Sequence, residues 1–328
     1  MGELKESAIK DQGNLLARFF GTLWREYSVV VIFIVAYVFC TIITSGKFST
    51  LNNVTAILRN ISTIGMISLG MTFVLILGGI DLSSGAILAT AGTVLIMLQG
   101  SGAIPLWLAI AACCGVAIGF GFINGIIITK AKLPPFIVTL AVGIIARSFT
   151  MFITKGATIT GKSVPEFTNI GNGDFLGLPN PFWILLISAI VLSIVLTKTK
   201  FGTYVFAVGG NEMAAKYSGI KVDRIKVYTY MLVGLCVAIG ATIEMSRMAA
   251  VASTTSGNLY EFEAITAAVV GGTAITGGRG KIVGTVIGAL FIGVVSNMMI
   301  MMNISPYLNG AVKGAVILLA VLFQRKEK

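Results

Sequence analysis

The sequence has no histidine among its 328 residues. Histidine is the commonest general base, proton-relay group and metal ligand near neutral pH, so its absence argues against metalloenzymes and histidine-dependent hydrolases. Cysteine is also scarce, and the four cysteines lie within apolar runs without the spacing of metal ligands. We therefore predict that the chain is not an enzyme, and that it holds no catalytic residue, no metal and no cofactor of its own.

Charged residues are few as well: they make up 11% of the chain, against about a quarter in soluble globular domains. Apolar residues make up 56%, and apolar runs of about 20 residues, enough to cross a bilayer, leave no stretch for a separate soluble domain. The net charge of +11 does not indicate nucleic acid, because the basic residues lie between apolar runs and not on one polar face. The composition predicts a membrane domain surrounded by the lipid bilayer.

Polar breaks divide the apolar residues into about ten predicted transmembrane helices, so the expected fold class is an all-α membrane protein. A single transmembrane domain is predicted over residues 29–324, with short polar segments at 1–28 and 325–328. The predicted spans are residues 29–44, 54–77, 84–98, 105–129, 136–153, 181–196, 227–248, 263–274, 282–302 and 307–323.

The distribution of Lys and Arg predicts the orientation of these helices. Most of the 24 basic residues lie at the two ends of the chain and in alternate loops, above all in residues 198–226. Short loops rich in Lys and Arg stay in the cytoplasm. We therefore expect a multi-pass protein of the cell inner membrane, with both termini and the loop 198–226 on the cytoplasmic side.

Two glycine-rich stretches interrupt the apolar pattern at residues 78–85 (GGIDLSSG) and 271–280 (GGTAITGGRG). The apolar segments beside them, 84–98 and 263–274, are too short to cross a bilayer as plain helices. They take matching places if the chain consists of two inverted halves, and inverted repeats with broken helices indicate a translocation path. The alternative is that these glycines only allow close helix packing.

Polar side chains within the apolar runs are candidates for lining such a path. Asp81 is the first of them, because a carboxylate at bilayer depth costs about 2.5–3.5 kcal/mol on insertion scales and normally faces a cavity or a partner. Its alternatives are a helix cap or, in an ion-driven secondary transporter, a coupling carboxylate. The other candidates, which could instead make interhelical hydrogen bonds, are Ser83, Asn60, Asn124 and Asn297.

Acidic residues near the predicted outer side suggest two further features. Glu261 and Glu263 precede the eighth span, where they would either meet a delivery protein or hold the start of the helix in water. Glu244 and Arg247 stand three positions apart, which places them on one helical face and predicts an internal ion pair.

The sequence of the loop 198–226 predicts a short capped helix. Asn211 can cap its start, Glu212 complements the positive helix end, and Gly219 can end it. A rigid cytoplasmic helix of this kind favours docking to a partner protein, and the alternative is a helix lying on lipid headgroups.

Several long motifs in order resemble the ribose-type permease family of bacterial ATP-binding-cassette importers. They are Gly70-Met71-Thr72 leading into GGIDLSSG, then GGNEMAAKYSGIKV at 209–222, YEFEAITAAVVGGTAITGGRGKIVGTVIGAL at 260–290 and AVKGAVILLAVL at 311–322. The resemblance covers nearly all of the chain beyond the first predicted span. It implies a homodimeric, nonenzymatic permease that moves ribose or a similar small sugar, a periplasmic sugar-binding protein, and a cytoplasmic subunit that binds ATP and Mg²⁺.

The same resemblance implies which residues couple to the ATPase. Met213 departs from the small residue that similar sequences tend to carry at this point, and we expect it to alter the fit to the ATPase without abolishing it. The implied coupling residues are Gly210, Asn211, Glu212, Ala214, Ala215, Ser218 and Gly219.

Overall fold

The computed structural model describes residues 30–31, 33–305, 308, 310–312, 314–315 and 318. The predicted cytoplasmic segments 1–28 and 325–328 lie outside the described residues, as does most of the last predicted span, 307–323. The chain matches the all-helical expectation. Its helices are α1 (Phe33–Ile43), α2 (Leu51–Ile76), α3 (Ser84–Ser101), α4 (Leu106–Lys130), α5 (Pro135–Thr154), α6 (Pro165–Asn172), α7 (Asn180–Lys198), α8 (Lys200–Gly210), α9 (Glu212–Tyr217), α10 (Val222–Met248), α11 (Tyr260–Val270) and α12 (Ile282–Met301).

Seven of the described helices are long and apolar enough to cross a membrane. They contain 18 to 27 residues each and are α2, α3, α4, α5, α7, α10 and α12. A many-helix membrane architecture is therefore confirmed, whereas ten spans and an inverted repeat stay predictions. One length was wrong: α3 continues through polar Gln99 to Ser101 and is a candidate span, because the helix ends only where Gly102 takes a left-handed backbone, φ +69°.

The helices α2 and α10 form the centre of the bundle. In the apolar 18-residue stretches of these two helices, 78% and 72% of the residues are buried. The corresponding shares in α4, α5 and α7 are 22%, 33% and 28%, so most of their side chains are left for lipid. Glycine lets α4 approach α10 closely, since a Cβ atom on Gly125 would lie 2.6 Å from the Cα of Val227. A Cβ on Gly234 would likewise overlap the carbonyl of Ala117.

Both predicted glycine breaks close a helix in the same way. Gly78 has a left-handed φ of +85° after α2, and the N–H of Gly79 donates to the carbonyl of Val74 at 2.9 Å. Gly272 has φ +88° after α11, and the N–H of Thr273 donates to the carbonyl of Ala268 at 2.9 Å. Only glycine adopts this conformation without strain, so the sequence ends both helices at these positions.

Short antiparallel strands pair within and between the segments that connect the helices. The strand β1 (Thr158–Thr160) pairs antiparallel with β4 (Ala250–Ala252), and β2 (Asp174–Phe175) pairs with β3 (Leu178–Pro179). The pairing of β1 with β4 fixes the segment that follows α10 against the connection after α5. The chain between β4 and α11 is thereby held beside α3.

Candidate functional site

Three of the predicted path residues meet at the break between α2 and α3. The Oδ1 atom of Asp81 accepts hydrogen bonds from the backbone N–H of Ser83 at 2.8 Å and from its hydroxyl at 2.5 Å. The Nδ2 atom of Asn124, on α4, donates to the hydroxyl of Ser83 at 2.9 Å. All three side chains are at most 1% exposed. Asp81 therefore stabilises the turn into α3 and also forms part of a buried polar cluster.

This cluster offers hydrogen-bonding groups that no described residue uses. Three buried side-chain atoms have no hydrogen-bond partner within the described part of the chain: the amide oxygen Oδ1 of Asn124, the hydroxyl of Ser84 and the hydroxyl of Tyr230. A buried polar atom left unpaired costs about 1–3 kcal/mol, so such atoms are normally paired with water or a ligand. They can satisfy the hydroxyls of a neutral polar solute.

The start of α11 comes to the same place as the start of α3. A Cβ atom on Gly85 would overlap the carbonyl oxygen of Gly257 and Oε2 of Glu261, so these groups lie against the first turn of α3. Helix starts carry partial positive charge, which acidic groups complement. Asp81 precedes one start, and Glu261 lies in the first turn of the other.

Arg147, on α5, holds the segment between β4 and α11 in position. Its guanidinium donates to the carbonyls of Ser253 at 3.0 Å and Ser256 at 2.7 Å, and to that of Gly85 at 3.4 Å. Sequence reasoning assigned no role to Arg147, although an arginine inside an apolar span is costly enough to be a signal. It also missed Tyr230, which nothing in the sequence separates from an ordinary buried tyrosine.

The remaining path candidates lie towards the opposite end of α2. The Nδ2 atom of Asn297 donates to Oδ1 of Asn53 at 3.0 Å, in the first turn of α2. Asn60 is exposed and accepts a 2.6 Å hydrogen bond from Arg247. Neither residue belongs to the polar cluster around Asp81.

The expected ion pair between Glu244 and Arg247 is wrong. The guanidinium of Arg247 donates to Oδ1 of Asn60 on α2, and the carboxylate of Glu244 lies beside the Tyr260 side chain of α11. The sequence spacing put both residues on one side of α10, but each of them faces a different neighbouring helix. Arg247 is also tied to the end of α6, because Nδ2 of Asn172 donates to its carbonyl at 3.1 Å.

The two carboxylates expected to meet a delivery protein do not lie on an open outer surface. Glu263 is 4% exposed, and Glu261 is half-buried beside Gly85. The sequence placed them correctly at the start of a helix, but that helix starts inside the bundle because β4 and the following turn lead the chain inward. Their docking role stays a prediction.

The helix α9 has the local structure that the sequence predicts. Oδ1 of Asn211 accepts from the N–H of Ala214 at 2.9 Å, and Gly219 ends the helix with φ +82°. Glu212 forms a 2.7 Å ion pair with Lys226 on α10.

One side of α9 packs onto the protein and the rest faces outward. Ala215 is 4% exposed, whereas the apolar side chains of Met213 and Tyr217 are 58% and 83% exposed. Exposed apolar groups on a capped, rigid helix are suited to contact a partner surface. The other predicted coupling residues, Gly210, Ala214 and Ser218, are exposed as well.

The sequence matches the family model described as the permease component of the branched-chain amino acid transport system, over residues 53–321. The chain belongs to this permease family. The permease is 44% identical over 276 residues to the ribose import permease protein of Bacillus subtilis strain 168, covering 84% of this chain and 85% of the relative. No solved structure matches it significantly.

Two further relatives extend over more of the permease. It is 37% identical over 316 residues to the ribose import permease protein of Escherichia coli strain K12, covering 95% and 97% of the two chains. It is also 37% identical over 309 residues to the L-arabinose transport system permease protein of the same strain, covering 93% and 92%. The family match over residues 53–321 includes the polar cluster and α9.

Proposed function

We propose that this permease is the membrane subunit of an ATP-binding-cassette importer for ribose or a similar small sugar. The observation that carries the proposal is its similarity, over most of its length, to permease proteins named for ribose and L-arabinose import. The permease acts as a homodimer with a cytoplasmic ATPase subunit, which holds ATP and Mg²⁺, and a periplasmic sugar-binding protein. It lies in the inner membrane with both termini in the cytoplasm.

The polar cluster at the starts of α3 and α11 is the proposed sugar path. Sugar hydroxyls both donate and accept hydrogen bonds, and the cluster presents an amide oxygen from Asn124 and hydroxyls from Ser84 and Tyr230. A neutral sugar satisfies these groups without bringing a charge into the bundle. Asn60 and Asn297 lie nearer the other end of α2 and would line the outer part of the path.

The helix α9 is the proposed contact with the ATPase. Its exposed residues enter a surface of that subunit, and the ion pair of Glu212 with Lys226 joins α9 to the start of α10. Because α10 packs at the centre of the bundle, a displacement of α9 reaches the helices that surround the polar cluster. ATP binding and hydrolysis on the partner thus alternate access to the path.

Uptake by proteoliposomes tests this function. The permease is reconstituted with the ATPase of its importer, with ATP inside the vesicles and the sugar-binding protein and labelled ribose outside. We expect ribose uptake to require lumenal ATP and both partner proteins. Unlabelled arabinose and other competing sugars should reduce this uptake in proportion to how well they bind the importer. A matched preparation with a hydrolysis-defective ATPase is the control.

The same vesicles distinguish the ion-driven alternative. A secondary transporter that uses Asp81 for coupling would accumulate sugar without the ATPase subunit and would lose uptake when an ionophore collapses the ion gradient. We expect ionophores to leave ATP-driven uptake unchanged. Gradient-dependent uptake in the absence of the ATPase would overturn the proposed function.

A further inference from the structure

Three distant segments of the chain meet through backbone contacts at the end of α2. The N–H of Gly278, between α11 and α12, donates to the carbonyl of Ile76 at 2.8 Å. Gly209, in the last turn of α8, packs on the same carbonyl, since a Cβ atom there would overlap it and lie 3.0 Å from the nitrogen of Gly278. A Cβ on Gly277 would lie 2.7 Å from the carbonyl oxygen of Gly209 and 3.2 Å from the backbone of Gly78.

These contacts define a glycine junction, which consists of Gly78, Gly209, Gly277 and Gly278. Three of its members have left-handed backbones, with φ +85°, +87° and +74° for Gly78, Gly277 and Gly278. The neighbouring atoms are backbone atoms, which cannot rotate away as a flexible side chain does. The segments at the junction are therefore in rigid contact, and a shift of one must displace the others or break a hydrogen bond.

The junction lies next to each part of the proposed transport machinery. Gly209 is two positions before Asn211, the cap of α9, and Gly78 is three positions before Asp81. Gly277 and Gly278 lie in the loop that follows α11, whose first turn contains Glu261. The junction thus connects the exposed helix with both helices that start at the polar cluster.

We propose that the glycine junction transmits movement of α9 to the polar cluster, with its four glycines as positioning residues. A push on α9 displaces the end of α8, and the contacts of Gly209 carry this displacement to the break that contains Asp81. The contacts of Gly277 and Gly278 carry it to the end of α11. The inference rests on the proposed function only in taking the ATPase as the source of the movement.

The decisive variant is Gly277→Ala, because its added methyl group meets the carbonyl of Gly209. Its matched control is Gly272→Ala, in the same loop. Gly272 has nearly the same backbone angle, φ +88° against +87°, but a Cβ atom there meets nothing within 4 Å. Both variants carry the same strain of a left-handed alanine, so the difference between them reports the contact.

The two variants are compared in the reconstituted importer, with uptake and ATP hydrolysis measured together. For Gly277→Ala we expect sugar uptake per ATP hydrolysed to fall about tenfold relative to Gly272→Ala, within the usual range of coupling between sites. Binding of the ATPase subunit should be the same in both. Equal uptake per ATP in the two variants overturns the proposal.

Hydrogen exchange on the unmodified permease keeps the proposal testable if Gly277→Ala does not assemble. We expect binding of the nucleotide-loaded ATPase to change exchange in residues 76–83 and 271–281 together with residues 209–219. Changes confined to 209–219 would overturn the junction while leaving the importer function intact. If the ATPase does not bind at all, the proposed function fails and the inference fails with it.

Discussion

The guanidinium of Arg147 donates a 2.7 Å hydrogen bond to the carbonyl oxygen of Ser256, which lies 109 positions later in the chain. This contact joins α5 to the segment that leads into α11. The same guanidinium reaches Ser253 and Gly85, so one side chain fixes where α3 and α11 approach each other. The geometry of the polar cluster depends on this clamp.

Replacing Arg147 with methionine should therefore loosen the segment between β4 and α11. The change leaves part-buried carbonyls without donors, at about 1–3 kcal/mol for each one that water cannot reach. We expect a lower thermal unfolding temperature in detergent and faster thiol labelling of Thr255→Cys, an exposed position in this segment. The unfolding temperature and labelling rate of Arg147→Lys should lie between those of the unmodified protein and the methionine variant, because a lysine ammonium cannot reproduce the planar fork of a guanidinium. Unchanged stability and labelling in the methionine variant would argue against the clamp.

Tyr230→Phe separates a transport role from a structural one. Tyr230 is 1% exposed, and its buried hydroxyl has no hydrogen-bond partner among the described residues, so its removal should not lower stability. If the hydroxyl contacts the sugar, the half-saturating sugar concentration for uptake rises several-fold, as expected for loss of one hydrogen bond worth about 0.5–1.5 kcal/mol. Lower stability with normal uptake would instead show that the hydroxyl is structural.

Asp81 should tolerate asparagine better than alanine. Asparagine keeps an oxygen that can accept from the N–H of Ser83, whereas alanine leaves the turn into α3 without its acceptor. We expect Asp81→Ala to reduce uptake more strongly than it reduces the amount of assembled complex in membranes. Uptake is measured per assembled complex. Normal kinetics in Asp81→Ala would leave Asp81 with a capping role alone.

The ion pair between Arg59 and Asp174 should contribute little to stability. The two side chains are 22% and 52% exposed and 2.7 Å apart, and exposed pairs contribute about 0.2–1 kcal/mol. Asp174→Asn should lower the unfolding temperature slightly at low ionic strength and less at high ionic strength, because salt screens the pair. A large loss that salt does not change would mean that Asp174 acts through another contact.

Asn211→Ala should weaken α9 and with it the attachment of the ATPase. Loss of an N-cap typically costs about 1 kcal/mol, and a helix of this length has little other support. Asn211→Asp is the matched control, since aspartate caps a helix equally well. We expect the alanine variant to bind the purified ATPase subunit several-fold more weakly in a pull-down or calorimetric titration, as about 1 kcal/mol implies. Equal binding by both variants would contradict a coupling role for α9.

The sequence alone was enough to predict the membrane class and several local structures. Low charge and long apolar runs require helices in lipid, because a backbone in hydrocarbon must satisfy its own hydrogen bonds. Asn211 caps the start of α9, Gly219 ends it, and Gly78 ends α2, because capping and left-handed turns depend on a few adjacent residues. Family membership followed the same way, from motifs read along the chain.

Tertiary structure decided which helices face each other. Spacing on α10 put Glu244 and Arg247 on one face, but Arg247 binds Asn60 on α2 and Glu244 lies beside Tyr260 on α11. The meeting of Gly85 with Gly257 likewise joins positions far apart in sequence. Helical periodicity specifies the buried face of a helix and not its partner, so contacts between helices are settled only when the whole bundle packs.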